Sequence, residues 1–256
     1  MKDDTSMTYC AYEIIGEDRP APWLITCDHA SNAVPAAVSG GDLGLPSADM
    51  NRHIAYDIGA AGVTRRLAEL LNAPAILSTF SRLVIDPNRG EDDPTLLMKL
   101  YDGTVIPGNR TADEAEKQRR LNLCYRPYHA QLERLAAAKD AQADNAVYLA
   151  IHSFTPRLNG RVPRPWQIGV LHAYDGRFAV PLIQRLQEEP GLIVGDNEPY
   201  SGSLAGDSVD RHALHHGRPN ALIELRHDLI DTETGQREWA DRLAPILEDA
   251  LARSQF

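Results

Sequence analysis

The chain has 256 residues, and its hydrophobic fraction of 43% and charged fraction of 24% are ordinary for a soluble globular protein. A formal net charge of −10 at pH 7 argues against a nucleic-acid-binding protein, but a few arginines could still bind a small anionic substrate. The three cysteines form no CxxC pair, so neither a disulfide framework nor a zinc knuckle is indicated. No secretory signal and no membrane span are recognisable, so we expect a cytoplasmic protein with one domain over residues 1–256. The sequence is compatible with a homo-oligomer.

In the first half of the chain, strands alternate with one clear helix. Apolar residues at helical spacing predict that helix, and Pro74 lies just beyond its end. In chain order we predict an N-terminal arm (1–20) with an edge strand (9–15), a strand (23–27), a loop (36–50), a helix (54–72), two strands (75–77 and 83–85), a turn (86–90) and a loop (91–110).

The second half continues the alternation. In chain order we predict a helix (112–141) with a kink or break at Pro127, a strand (146–151), a loop (155–165), a strand (167–172), a helix (178–188), a strand (192–194), a loop (196–208), a strand (220–224) and a helix (235–253). The loop at 155–165 is longer than a compact connection needs, which makes it a candidate lid or binding loop. The whole pattern predicts an α/β protein, a three-layer α/β/α sandwich with a mostly parallel mixed sheet.

Three predicted strands end in residues that can bind a metal or transfer a proton. His29 follows the strand at 23–27, and His152 follows the strand at 146–151. Glu224 is the last residue of the strand at 220–224. The carboxyl ends of parallel strands are where an open α/β sheet binds its ligands. Each polar residue alone could simply mark where a strand meets water, but three such ends together favour a metal hydrolase site.

A catalytic zinc ion takes about three protein ligands and keeps one position open for water. His29 and His152 are the best-placed nitrogens, and Asn32, three residues after His29, is the predicted position of the third ligand. An amide oxygen is neutral and therefore a poor zinc ligand. The alternatives for this third position are Asp28, His53 and Asp57.

A second group of residues suits an anionic substrate. Arg82, Asn88 and Arg89 lie close together in the sequence, and a guanidinium offers two parallel donors to a carboxylate or an oxyanion. The structural alternative is a solvated turn with local salt bridges. Glu224 is costly to bury unless it is paired, so it is either a general base or the ion-pair partner of Arg226. Arg226, two residues on along the same strand face, is otherwise a candidate for binding the substrate.

Five sequence runs, in order along nearly the whole chain, resemble the N-formylglutamate amidohydrolase family. They are CDHASNAVP (27–35), NRHIAYDIGA (51–60), SRLVIDPNR (81–89), IHSFTP (151–156) and IELRHDLI (223–230). The resemblance implies a zinc-carboxypeptidase-like fold, one divalent metal ion, expected to be zinc, and hydrolysis of a small N-acyl amino acid. The activity it implies is the conversion of N-formyl-L-glutamate to formate and L-glutamate.

The resemblance also implies a role for each matching residue. The metal histidines match His29 and His152, the lone arginine matches Arg82, the Asn-Arg pair that holds a substrate carboxylate matches Asn88 and Arg89, and the catalytic base matches Glu224. Asn32 stands where the wider superfamily has a glutamate. Two alternatives stay open: a related deacylase or amidase with another specificity, and a ligand-binding protein that has lost the metal.

Overall fold

A computed structural model of the chain describes residues 9–143 and 146–256, so residues 1–8 of the predicted arm lie outside the described residues. The strands are β1 (Tyr12–Ile15), β2 (Trp23–Cys27), β3 (Ala75–Ser78), β4 (Leu100–Tyr101), β5 (Thr104–Val105), β6 (Val147–Phe154), β7 (Ile168–Leu171), β8 (Val194–Asp196) and β9 (Asn220–Arg226).

The helices follow the predicted pattern with additional short segments. They are α1 (Ser47–Met50), α2 (Ala60–Leu70), α3 (Pro107–Arg110), α4 (Glu114–Arg120), α5 (Arg126–Asp140), α6 (Ala179–Gln187), α7 (Ser208–His212) and α8 (Glu233–Arg253), with a π-helical turn (Leu121–Tyr125) joining α4 to α5. Within the described ranges, no helix combines the length and apolar character needed to cross a bilayer.

Seven strands form one mixed sheet in the order β1-β3-β2-β6-β9-β7-β8. Strands β3, β2, β6 and β9 are parallel, β1 and β7 pair antiparallel with this block, and β8 pairs parallel with β7. Every residue of β2 and β6 is buried. Strands covered on both faces are expected to be continuously apolar, as these are over most of their length.

Helices cover both faces of the sheet, which confirms the predicted three-layer sandwich. On one face α2, α6 and α8 pack against alternate strand residues such as Trp23 and Ile25. On the other face Tyr128 and Leu132 of α5 pack with Leu24 of the same strand. Alternate side chains of β2 therefore pack into two separate hydrophobic cores, one on each side of the sheet.

The predicted strand at 83–85 is wrong. Leu83, Val84 and Ile85 are buried, as an apolar run should be, but residues 82–84 form a turn and Ile85 has no regular structure. Their carbonyls are satisfied by side chains, since Asn109 Nδ2 donates to Leu83 O at 2.8 Å and Arg120 Nη1 donates to Val84 O at 2.9 Å. Side-chain donors thus replace the strand partner that a buried backbone would otherwise need.

Other boundaries differ for local reasons. The helix predicted from residue 54 begins only at Ala60, because Gly59 has a φ of 80° and a Cβ there would lie 2.0 Å from Ile230 O. The π-helical turn lies just before Pro127, where a kink was predicted. The predicted strand at 192–194 is observed two residues later, at Val194–Asp196.

Candidate active site

The carboxyl ends of the central strands and the loops that follow them surround a cavity of about 280 Å³. His152 of β6 and Glu224 of β9 are direct partners in the strand register, so both side chains point to the same side of the sheet. The structure thus brings together most of the residues predicted for the site. Those that line the cavity are His29, Arg82, Asn88, Arg89, His152 and Glu224.

Two histidines meet around one carboxylate oxygen at the base of the cavity. His29 Nδ1 lies 3.2 Å from Asp57 Oδ2, and His152 Nδ1 lies 2.8 Å from the same oxygen. All three side chains are buried, and one potential ligand atom from each lies within 4.8 Å of the others. Asp57 reaches this position because its backbone N–H donates to His29 O, 2.9 Å away, two residues before Gly59, the residue that precedes helix α2.

The far nitrogen of each histidine faces a second carboxylate. His29 Nε2 lies 2.7 Å from Asp86 Oδ1, and His152 Nε2 lies 3.4 Å from Asp28 Oδ2. The other Asp28 oxygen accepts a hydrogen bond from the Tyr128 hydroxyl at 2.6 Å. A carboxylate on the far nitrogen fixes the orientation and tautomer of a metal-binding imidazole.

The charges in this cluster shift the pKa values of its members. Burial alone would lower the pKa of His152, but the hydrogen bonds and charges of Asp28 and Asp57 raise it well above its usual range. Burial likewise favours the neutral acid form of Asp28, but His152 and the Tyr128 hydroxyl outweigh it and lower the pKa to about 2. The carboxylates of Asp28 and Asp57 therefore favour positive charge at this cluster.

The residues present fit a divalent metal ion. Two imidazole nitrogens and one carboxylate oxygen are a donor set that catalytic zinc sites use. Glu224 lines the same cavity, and its Oε2 is buried without a hydrogen-bond partner among the described residues. Buried polar atoms without partners are rare in native proteins, because such atoms are normally satisfied by protein groups, water or a bound ion. The His29, Asp57 and His152 cluster could therefore hold a metal ion.

Asn32 and Arg226, two residues predicted for the site, lie elsewhere. The Asn32 amide nitrogen donates to Met50 O at 2.9 Å, and the side chain is not among those lining the cavity. Arg226 bonds Asp228 at 2.8 and 3.2 Å and is likewise outside the lining. The geometry favours Asp57, one of the alternatives, as the third ligand, because an ionised carboxylate already contacts both histidines. Arg226 also forms no ion pair with Glu224.

Glu224 is 6% exposed, and its Oε2 has no hydrogen-bond partner among the described residues. Burial is the main cause that raises its pKa to about 7, and the nearby positive His152 only partly offsets it. A carboxyl group with such a pKa can both accept and release a proton at neutral pH.

Arg82 and the substrate-binding candidates are held by one buried carboxylate, Asp86. Its Oδ2 accepts from Arg82 Nε and Nη2 at 3.1 and 2.8 Å. Its Oδ1 accepts from the backbone N–H of Asn88 at 2.9 Å. Arg89 Nη1 donates to Asn88 O at 2.6 Å. Asp86 therefore links the oxyanion candidate to the turn that carries the predicted carboxylate-binding pair.

Two stacked histidines support this turn from behind. His129 Nε2 lies 3.0 Å from Pro87 O, and its Nδ1 lies 2.8 Å from His212 Nε2. His212 Nδ1 in turn lies 2.9 Å from a carboxylate oxygen of Glu133. These contacts connect helices α5 and α7 to the carbonyl of Pro87, the residue before Asn88.

The sequence suggested no functional role for Tyr101 and Tyr200 of the cavity lining or for the buried Asp86 beside it. For Asp86, its place directly before a proline at the end of an apolar run was a usable signal. His53, an alternative for the third ligand, lines the cavity but is not part of the metal cluster. Its Nε2 lies 3.4 Å from Asp102, and burial lowers its pKa to about 4. Tyr101 and Tyr200 also line the cavity, and no local sequence pattern marked them.

Comparison with known proteins finds one matching family model and several similar proteins. The family model for N-formylglutamate amidohydrolase matches residues 21–231. An N-formylglutamate deformylase of Pseudomonas putida is 27% identical over 244 residues, covering 88% of this chain and 84% of that protein. The crystal structure of a gene product from Agrobacterium tumefaciens is 34% identical, with a TM-score of 0.90, and covers 96% of each chain. N-formylglutamate amidohydrolase from Ralstonia eutropha, 24% identical with a TM-score of 0.62, covers 96% of this chain and 97% of its own and shares the fold.

Proposed function

Because the chain belongs to the N-formylglutamate amidohydrolase family, we propose that it hydrolyses N-formyl-L-glutamate to formate and L-glutamate. The observation that carries this proposal is the pairing of an unpartnered buried carboxylate, Glu224, with the His29, Asp57 and His152 cluster at one end of the sheet. A proton acceptor beside a potential metal site is the minimum requirement for metal-assisted amide hydrolysis.

His29, Asp57 and His152 would hold one divalent metal ion, with zinc expected. Such an ion, when bound, lowers the pKa of a water molecule and polarises a carbonyl group. Asp86 and Asp28 would keep protons on the far nitrogens of the two rings. The near nitrogens are then free of protons, as metal binding requires.

Glu224 would take the proton from the attacking water and pass it to the nitrogen of the departing amino acid. Its pKa of about 7 suits both halves of this transfer. Arg82 would donate to the oxygen that becomes negative as water attacks. Its Nη1 points toward Asp57 at 3.5 Å, and Asp86 fixes the rest of the guanidinium, so the donor is oriented before the substrate arrives.

Asn88 and Arg89 would bind the α-carboxylate of the substrate. Asn88 Oδ1 accepts from the backbone N–H of Ser208 at 3.1 Å, which leaves the amide N–H groups as donors. Arg89 Nε donates to Thr95 Oγ1 at 3.1 Å. With Nε and Nη1 engaged, the guanidinium is fixed while Nη2 stays available for a carboxylate.

The test is a hydrolysis assay on the purified chain, measuring formate and glutamate released from N-formyl-L-glutamate. We expect turnover that a chelator removes and that added zinc or cobalt restores. N-acetyl-L-glutamate, assayed beside it, would identify a related deacylase if it alone were cleaved. Absence of cleavage by the metal-loaded protein, together with retained binding of N-formyl-L-glutamate, would instead show a ligand-binding protein.

A further inference from the structure

We propose that Tyr200 and Arg164 form the subsite that binds the side-chain carboxylate of the substrate, so that the enzyme selects N-acyl derivatives of acidic amino acids. This inference rests on the proposed function and adds a specificity element to it. Tyr200 would contact the substrate directly, and Arg164 would supply positive charge next to the Tyr200 hydroxyl.

The need for a second cation follows from the charges that line the cavity. N-formyl-L-glutamate carries two carboxylates, and Arg89 with Asn88 can hold one of them. The other arginine in the lining is Arg82, and its charge is already balanced by Asp86 at 2.8 Å and Asp57 at 3.5 Å. A second carboxylate would therefore be poorly compensated unless another cation lies at the cavity edge.

Arg164 supplies such a cation. Its Nη1 donates to Thr155 O at 3.1 Å and to the Tyr200 hydroxyl at 3.0 Å. The guanidinium carbon lies 4.8 Å from the centroid of the Tyr200 ring and 5.7 Å from that of Phe154. Phe154, Thr155 and Tyr200 all line the cavity. In residues 9–143 and 146–256, no acidic side chain forms an ion pair with Arg164, which leaves its charge free for a ligand.

The Tyr200 hydroxyl is oriented by this contact. Because it accepts a hydrogen bond from Arg164, its own proton points away from the guanidinium and can be donated to an anion. Tyr200 is 40% exposed, but its position beside the cavity partly desolvates the hydroxyl and raises the pKa of Tyr200, so the hydroxyl keeps that proton at neutral pH. A carboxylate that accepts this proton would receive a charge-assisted hydrogen bond, and the guanidinium next to the hydroxyl would add favourable positive charge.

Hydrogen bonds between side chains and the backbone hold both loops that carry Tyr200 and Arg164. Asn197 Oδ1 accepts from Gly202 N at 2.9 Å and from His172 N at 3.0 Å, which holds the loop on either side of Tyr200. Arg226 Nη1 lies 3.4 Å from the carbonyl of Arg164. Arg226, predicted to bind the substrate, thus supports the loop that bears the proposed cation. A site fixed in this way loses little entropy on binding.

The experiment compares kcat/KM for N-formyl-L-glutamate and N-formyl-L-glutamine in the metal-loaded wild type and in three variants. R164Q and Y200F each remove one donor, and R161Q changes an exposed arginine of the same loop as a matched control. Hydrogen bonds to a charged group are worth roughly 10- to 100-fold in binding. We expect R164Q to lower kcat/KM for the glutamate substrate by about that factor through KM. We expect Y200F to act in the same direction and R161Q to leave both substrates unchanged.

N-formyl-L-glutamine, which lacks the side-chain carboxylate, distinguishes a loss of carboxylate recognition from a general disturbance of the loop. If R164Q weakens both substrates equally, Arg164 only supports the loop, and the subsite is wrong although the hydrolysis proposal stands. If the wild type cleaves neither compound, the proposed reaction fails, and calorimetry with the same two compounds decides the subsite. Binding of N-formyl-L-glutamate that depends on Arg164 then supports it, and equal affinity for both compounds overturns it.

Discussion

His152 Nδ1 lies 2.8 Å from Asp57 Oδ2, although 95 positions separate the two residues in the chain. The same oxygen lies 3.2 Å from His29 Nδ1. One carboxylate from the segment before α2 therefore joins histidines delivered by two different strands. Asp57, and not Asn32, therefore contacts both histidines.

We expect D57N to lose bound metal and N32A to keep about as much as the wild type. The change at Asp57 keeps the size of the side chain but removes the charge that makes the oxygen a good zinc ligand. Asn32 is engaged with Met50 and lies outside the cavity lining, so it serves as the matched control. Elemental analysis after dialysis measures both, and the opposite pattern would restore Asn32 as the ligand.

E224Q should lower kcat by about 10²- to 10⁴-fold, the usual contribution of a general base. Metal content should not change, and thermal stability should be equal or higher, because an amide is less costly to bury without a partner than a carboxylate is. Turnover, metal content and melting temperature are measured on the same preparations. E233Q, at an exposed position that begins α8, is the control. Normal turnover of E224Q would remove Glu224 as the base.

R82A should be destabilised by about 3–5 kcal/mol, because it removes the guanidinium that pairs with buried Asp86 and lies 3.5 Å from Asp57. R82K keeps the charge and should recover much of that stability. It loses the rigid pair of donors, so kcat should still fall by about 10²- to 10³-fold. Urea denaturation and steady-state kinetics separate the two effects, and full activity of a folded R82K would exclude the oxyanion role.

The stability of the fold should depend on pH through His129. Burial is the main cause that lowers the pKa of His129 to about 3, whereas a histidine in an unfolded chain titrates near 6.5. Between these values only the unfolded state binds the proton. The free energy of unfolding therefore falls as pH is lowered from about 6.5 toward 3, by up to about 1.4 kcal/mol per pH unit.

Denaturation at pH 7.5 and pH 5.5 measures this contribution. The loss of stability on acidification should be about 1 kcal/mol larger in the wild type than in H129Q. H215Q is the control, since it removes an exposed imidazole from the segment just after α7. An equal pH dependence in the wild type and H129Q would show that buried His129 is not the titrating group.

The sequence alone determined the layer architecture and the strand ends. Apolar runs and helical spacing are local patterns, and burying them on both faces of a sheet leaves few arrangements. His29, His152 and Glu224 were predicted together because each follows or closes such a run, and parallel strands bring their carboxyl ends to one edge. The same logic failed at 83–85, where Asn109 and Arg120 satisfy the carbonyls of a buried turn that has no strand partner.

Only the tertiary structure decided which carboxylates meet the histidines and which arginines stay free. Asp57 and Asp86 reach His29 through loops whose course depends on packing, and Arg226 turns to Asp228 although its spacing from Glu224 suggested an ion pair. Strand periodicity places a residue on a face, but a hydrogen bond requires atoms to meet within a few tenths of an ångström. Contacts between distant segments satisfy that requirement, and no local spacing specifies them.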